Sequence, residues 1–492
     1  MTRPAFDEIR HRQDPEFVAL CAWLDGADPN ELRRRQAAAE VTFRQLGITF
    51  AVYGEEEAGE RIIPFDIVPR LFTGGEWARL SDGLVQRVEA INAFLEDIYG
   101  ERRILAEGVL PSDLILGNPQ FRPEVAGIRP PHGVHAHICG IDLVRTGPDD
   151  FFVLEDNART PSGVSYMLEN REAMLRLCPE LFSRLRVAAV DSYPDRLLAT
   201  MRSVAPKAAG ASPVCVVLTP GHYNSAYYEH SFLADAMGVE LVEAADLLVD
   251  DDIVWMRTIG GLVRVDVIYR RVDDDYLDPL VFRADSMLGV PGLIAAYAAG
   301  TVAILNAPGN GIADDKAIYS YMPEIVRFYS GGEPKLPNVE TFRCREPEAL
   351  RYVLDHLDEL VVKLSDGSGG YGMLVGPTAS RTEIEAFRAA LVAEPHRYIA
   401  QPTLALSTVP TLVDQGVAPR HVDFRPFVLT GANGVEVVPG GLTRVALREG
   451  SLVVNSSQGG GTKDSFVLMP DALMRQSQSQ SQGQSQSQEQ SQ

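Results

Sequence analysis

Apolar residues recur every three to four positions through Leu84–Tyr99 (LVQRVEAINAFLEDIY), the spacing of one face of a helix. Glu31–Gln45 is charged and amphipathic in the same way, so residues 1–110 read as mostly helical. Pro111–Pro131 is rich in proline and glycine and reads as irregular structure. The pattern then shortens. Val134–Leu143 and Phe151–Leu154 are strand-like runs separated by turn residues at Thr146–Asp150, and a helix is predicted over Tyr166–Leu175. Pro213–Leu218 reads as a buried strand, followed by a loop at Thr219–Ser225, helix His230–Met237, strand Glu240–Glu243, a hairpin around Gly260–Gly261 and strand Val265–Tyr269. Such alternation predicts a small doubly wound α/β subdomain over residues 205–305. Beyond it, helices at Pro347–Leu360 and Ile384–Val392 alternate with strands at Glu359–Lys363, Met373–Val375 and Tyr398–Gln401. Gln476–Gln492 is a Gln/Ser repeat with almost nothing apolar to bury, and a disordered tail is expected from 471 to 492.

Composition narrows the class. The chain has 492 residues, 45% of them hydrophobic, enough for a large core divided among several domains. Its net charge of −22 disfavours broad contact with nucleic-acid backbones, although a local nest of N–H groups and lysines can still accept a nucleotide's phosphates. Five widely spaced cysteines, with no CxxC pair, suggest neither a zinc site nor a disulfide framework. The N-terminal segment has no apolar core of a signal peptide and no run is long enough to span a bilayer, so a cytoplasmic protein without a membrane partner is expected.

Four segments carry candidate chemistry. In the first, Asp142 ends one strand-like run, and Glu155 and Asn157 end the next. Paired antiparallel, the two runs bring these three together. Glu155 and Asn157, two residues apart, share a face, and Asp156 takes the other. Two carboxylates and an amide oxygen suit a hard cation such as Mg²⁺, and equally suit strand-end groups with surface partners. The second segment is ELVVKLSDGSGGYGMLV (359–375), in which Lys363 ends a strand and Gly367, Gly369, Gly370 and Gly372 follow. Bare glycine backbone lets N–H groups approach phosphate oxygens. No GK[ST] closes the loop and a strand follows it, so it is neither a Walker loop nor a dinucleotide fingerprint. A flap over a triphosphate and a ligand-free hairpin both remain open. In the third segment, Lys316 lies just inside a helix start with Asp314 as the expected N-cap. In the fourth, Arg444 follows a glycine pair and Asn455 opens a polar, glycine-rich run. Arginine and asparagine there suit charge stabilisation at a phosphoryl group.

These segments resemble the circularly permuted ATP-grasp proteins of type 2. The resemblance is carried by LEDNARTPSGVSYMLENR (154–171), TPGHYNSAYYEH (219–230), YRRVDDDYLDPL (269–280), ADDKAIYSYMPE (313–324), VVKLSDGSGGYGM (361–373), IAQPTLALSTVPTLVD (399–414), HVDFRPFVL (421–429) and GGLTRVALREGSLVVNSSQGGGTKD (440–464), and it covers about residues 60–468. Glutathionylspermidine synthetase and the eukaryotic type of glutathione synthetase are more remotely similar. The resemblance implies an α/β (α+β) fold of the circularly permuted ATP-grasp kind, with the α/β subdomain inserted and a helical N-terminal region. It implies metal-binding residues Asp142, Glu155 and Asn157 in 111–204, and ATP-phosphate lysines Lys316 and Lys363 with the flap glycines in 306–470. It also implies a hinge strand at Tyr398–Gln401 where backbone and Gln401 read the adenine edge. One position departs: the synthetase relatives carry an arginine two residues before the metal-binding Asp, and here Gly140 stands there. Arg159 or Arg444 would supply that charge.

The implied activity is ATP- and Mg²⁺-dependent joining of a small or peptide-like carboxylate to an amine through an acyl-phosphate. A phosphotransferase or a catalytically silent scaffold is the alternative. Substrate is expected near Tyr223, Asn224 and Ser225, at a strand-to-helix turn, with Arg270 and Arg271. The arginine pair fits a structural salt bridge with Asp273–Asp275 equally well. A homo-oligomer is compatible with this reading.

Overall fold

A long antiparallel pair, Gly416–Gly431 and Gly434–Val445, forms the spine of a seven-stranded sheet. The structure is a computed structural model and describes residues 5–45, 47–51, 60–367, 372–452, 454 and 459–469. The expected Gly369, Gly370 and Asn455 sites, and the Gln/Ser tail, lie outside these residues. On one side of the spine come Ile138–Arg145 and then Phe151–Asn157; on the other come Gly461–Val467 and then Phe65–Phe72. All of these neighbours are antiparallel except the last pair, which is parallel.

Phe65–Phe72 is a strand within the mostly helical N-terminal region, and periodicity did not show it. Its eight residues FDIVPRLF are all buried, and two of them are charged. Lys463 pairs with Asp66 and also donates to the carbonyls of Val68 and Pro410. Arg70 takes Glu8 at 2.6 and 2.9 Å, although Glu8 is itself completely buried. The partners come from residues hundreds of positions away or from the N-terminal segment, so alternation alone does not show a strand here. Pro69 is tolerated because this strand ends the sheet's order.

The long N-terminal helix starts at Gly74 rather than Leu84. Thr73 accepts from the Glu76 N–H and Glu76 returns to the Thr73 N–H, a complete capping box. Trp77, Leu84, Ile91 and Ile98 are among the buried residues of its core face. The inserted region carries four parallel strands in the order Ala303–Leu305, Val267–Arg270, Cys215–Leu218, Glu240–Val242, as the alternation predicts. A hairpin, Ile253–Thr258 with Gly261–Arg264, turns through Ile259 and Gly260. A second antiparallel sheet, Phe342–Arg343, Tyr398–Pro402, Leu360–Leu364, Met373–Val375, is backed by helices Pro347–Asp355 and Arg381–Ala393. The first of these helices ends five residues before the predicted Leu360, which begins a strand instead.

Candidate functional site

The two strands that carry the acidic residues pair in the register that matters. Asp142 stands opposite Glu155, and Gly140 opposite Asn157, so Asp142, Glu155 and Asn157 lie on one face. Asp156 takes the opposite face, where it is buried against Arg87 at 2.6 and 2.7 Å. The short helix Lys316–Tyr319 then brings Lys316 over this face; its Nζ donates to Glu155 at 2.8 Å and to the Gly367 carbonyl. Asp315, not Asp314, caps that helix, accepting from the Ala317 and Ile318 N–H groups. Asp314 turns the other way and accepts from the N–H groups of Ala158 and Arg159. It thereby ties the lysine segment to the end of the acidic strand.

Lys363 comes from the second sheet, and its Nζ donates to Gln401 Oε1 at 2.8 Å. The Gln401 amide donates in turn to Thr341 at 3.1 Å. One end of the Gln401 side chain therefore holds Lys363 and the other Thr341. Gly372 has φ +67 and no room for a Cβ beside Leu364, so glycine is required where the chain re-enters the sheet. Gly367 contributes its carbonyl to Lys316.

Asp142 is buried between two guanidinium groups. Arg425 grips both its oxygens, through Nε and through Nη2 at 2.8 Å, and Arg444 Nη2 reaches it at 2.7 Å. Arg444 also pairs with buried Asp423. Burial opposes the charge on Asp142, yet the two arginines hold it below the usual carboxylate range. Arg425 was not singled out from the sequence. Its signal is the two-residue spacing from Asp423, which sets both on one face of a strand next to Asp142. Gly140 is the structural counterpart: a Cβ there would lie 3.0 Å from Arg425 Cδ and 3.3 Å from Pro161 Cβ. The arginine side chain crosses the space that the missing side chain leaves.

Together these elements enclose a cleft of about 220 Å³ lined in part by Glu155, Asn157, Arg159, Asp314, Lys316 and Arg425. Arg159 is therefore present, but its nearest carboxylates, Asp314 and Asp273, stand at 3.5 and 3.6 Å. Burial pushes the Asp314 carboxyl up to about 6, against Arg159 and the two N–H groups. Burial also pushes the Lys363 ammonium down to about 8; Glu155 opposes this and Lys316 adds to it. Lys363 is charged below that value and neutral above it. Affinity for a phosphate-bearing ligand should therefore fall by up to about tenfold per pH unit above 8. Titration of an ATP analogue at pH 7 and pH 9.5 checks this, and Lys363→Arg should flatten the dependence.

The donors fit a hard cation. The Asn157 carboxamide makes no hydrogen bond among the described residues, which leaves its Oδ1 uncommitted, and Glu155 and Asn157 both line the cleft. Among the described residues no three His, Cys, Asp or Glu side chains form such a site; the set here is two carboxylates and one amide. Both carboxylates are currently compensated by Lys316 and the arginines.

The expected substrate residues of the inserted subdomain do not line this cleft. Arg270 is completely buried and spends its guanidinium on Asp274 at 2.8 Å, Asn310 and the carbonyls of Asn306, Val272 and Ala307. Arg271 is also buried. It holds Pro161 O at 2.8 Å and Ser162 Oγ at 2.6 Å, while Glu229 accepts from the N–H groups of Gly163 and Ser165. Arg271 thus positions the loop that carries Arg159 to Ser162 into the cleft. Tyr223 projects into solvent, and Asn224 closes its own turn by accepting from Ala226 N; Ser225 lies in the same turn.

The profile described as circularly permuted ATP-grasp type 2 matches residues 69–446. An uncharacterized protein of Synechocystis sp. is 53% identical over 92% of this chain and 94% of its own length. An uncharacterized protein of Mycobacterium tuberculosis is 50% identical over 95% and 85%. A Frankia alni protein named "Putative glutamate--cysteine ligase 2-3" is 44% identical over 92% of this chain, which spans only 52% of that protein. Among solved structures, a glutathione synthetase-like effector from Globodera pallida in apo form superposes with a TM-score of 0.59 at 10% identity, over 90% of this chain and 98% of that one. That last likeness is one of fold.

Proposed function

Because this chain belongs to the circularly permuted ATP-grasp type 2 family, we propose that it is an ATP-dependent ligase that joins a carboxylate to an amine through an acyl-phosphate, with Mg²⁺ as cofactor. The observation that carries this reading is the charge pairing at one cleft: Lys316 on Glu155, which both line it, and Arg425, which also lines it, on buried Asp142 with Arg444 behind. Each cation has a carboxylate that a metal ion can take over, and each carboxylate has a cation that a phosphate can take over. With Asp423, which also pairs with Arg444, three cations meet three carboxylates, so the set is balanced without a triphosphate and its metal. The Frankia relatives named as ligases support the same class, although the name covers proteins of which this chain spans about half.

Glu155 and Asn157, with Asp142 opposite, would hold Mg²⁺, which when bound offsets phosphate charge. Lys316 and Lys363 hold the phosphates, and the backbone of Tyr398–Gln401 is left to read the base. A carboxylate oxygen of the acid forms a bond to the γ-phosphorus, and the bond to ADP breaks. Arg425, lying in the cleft beside Gly140, faces the charge that develops on the acyl-phosphate; Arg444 keeps Asp142 in place. The amine nitrogen then bonds to the acyl carbon, phosphate leaves and the amine proton is released. With hydroxylamine as the amine, the purified chain, Mg²⁺-ATP and an acid panel should give hydroxamate in step with ADP. ADP release that is acid-dependent but yields no hydroxamate would indicate phosphoryl transfer without acyl activation. Absence of nucleotide binding would sink the catalytic reading.

A further inference from the structure

Arg159 is a cation held in place but not used up. Its Nε is buried without a hydrogen-bond partner, and the guanidinium stands only in loose ion pairs, Nε with Asp314 at 3.5 Å and Nη1 with Asp273 at 3.6 Å. A guanidinium whose carboxylates are this loosely held keeps donors for a planar anion. Gly311 keeps the approach open: a Cβ there would lie 3.0 Å from both Arg159 Cδ and Gln120 Oε1. The Gln120 side chain, from the segment read as irregular, makes no hydrogen bond among the described residues and lines the same cleft. The surroundings are not those of a simple anion site. Asp314 and Asp273 flank the guanidinium, so an isolated anion meets two negative charges for one positive. A group that carries a carboxylate and an ammonium on one carbon satisfies both signs.

We infer that the Gln120–Arg159–Asp314 wall binds the head group of an α-amino acid. Arg159 takes the α-carboxylate, the flanking aspartates take the ammonium and Gln120 offers its carboxamide. This deepens the ligase reading and rests on it. Since the α-carboxylate is held at Arg159, the carboxylate that is activated is a second one, extended toward Lys316 and Arg425. The acid is then a dicarboxylic amino acid, free or at the end of a peptide.

The test uses the full chain with Mg²⁺-ATP and hydroxylamine. L-Glutamate and L-aspartate are compared with glutarate, which lacks the ammonium, and 4-aminobutyrate, which lacks the α-carboxylate. The better amino acid should exceed both analogues at least tenfold in kcat/KM. Arg159→Met should raise its KM at least tenfold and abolish discrimination against 4-aminobutyrate. Affinity for a non-hydrolysable ATP analogue should stay within twofold, which also shows that the variant folds. Equal use of glutarate or 4-aminobutyrate, or a preference for unrelated acids, would overturn the inference and leave the ligase standing, as would discrimination unchanged in Arg159→Met. Nucleotide binding without hydroxamate from any acid would remove the ligase reading itself, and this inference with it.

Discussion

Glu155→Gln should lower Mg²⁺-dependent ADP release by at least about a thousandfold, or ~4 kcal/mol in the barrier, while the protein stays folded. Glu155 has two roles in the cleft that no neighbour duplicates. It is a partner of Lys316 at 2.8 Å, and it is the carboxylate next to the unbonded Asn157 amide. Glutamine keeps the shape and an acceptor for Lys316 but removes the charge on which a divalent cation depends. Its side chain is 26% exposed, so the lost ion pair should cost little stability, within the ~0–1 kcal/mol of solvent-screened pairs. Thermal unfolding and binding of an ATP analogue with and without Mg²⁺ separate the effects. The wild type should bind more tightly with the metal and the variant should not. Activity within tenfold of wild type would show that the cation is held elsewhere.

Arg425→Met should cost about 10²–10³-fold in kcat, the range for removal of one donor aimed at developing charge, with a smaller effect on nucleotide affinity. Some destabilisation is expected too, because Asp142 is left buried with Arg444 alone. Position 140 gives a control that leaves the residue at 425 unchanged. Gly140→Ala places a methyl 3.0 Å from Arg425 Cδ. The Arg425 stem at Cδ and Cγ need shift by only a few tenths of an ångström, so the fold should persist while activity falls roughly tenfold. The double variant Gly140→Arg with Arg425→Gly starts a guanidinium from the neighbouring strand, through the space that Arg425 now crosses. It should recover at least tenfold over Arg425→Gly, read as hydroxamate formation. No recovery, with both proteins folded, would mean that Arg425 serves only to neutralise Asp142.

Local rules made much of this protein legible in its sequence. Two-residue alternation puts Glu155 and Asn157 on one face and Asp156 on the other, because side chains on a strand alternate whatever surrounds them. The strand–helix alternation gave the parallel inserted sheet, and the glycine at 372 marks a backbone conformation that other residues resist. The motifs named the family, and with it the lysines that the fold brings to the acidic strands. What only the tertiary structure decided is how charges are paired across long sequence distances. Arg425 lies 283 positions from Asp142, and nothing near either residue states that they meet. Arg270 and Arg271 fit a substrate site and a structural salt bridge equally well in the sequence; here both are buried, Arg270 pairs with Asp274, and Arg271 holds Pro161 O and Ser162 Oγ. Strand Phe65–Phe72 was hidden for the same reason, since Asp66 and Arg70 are acceptable inside only when Lys463 and Glu8 arrive to neutralise them. Periodicity is a property of neighbouring residues, whereas the cost of a buried charge is set by partners that only the completed fold supplies.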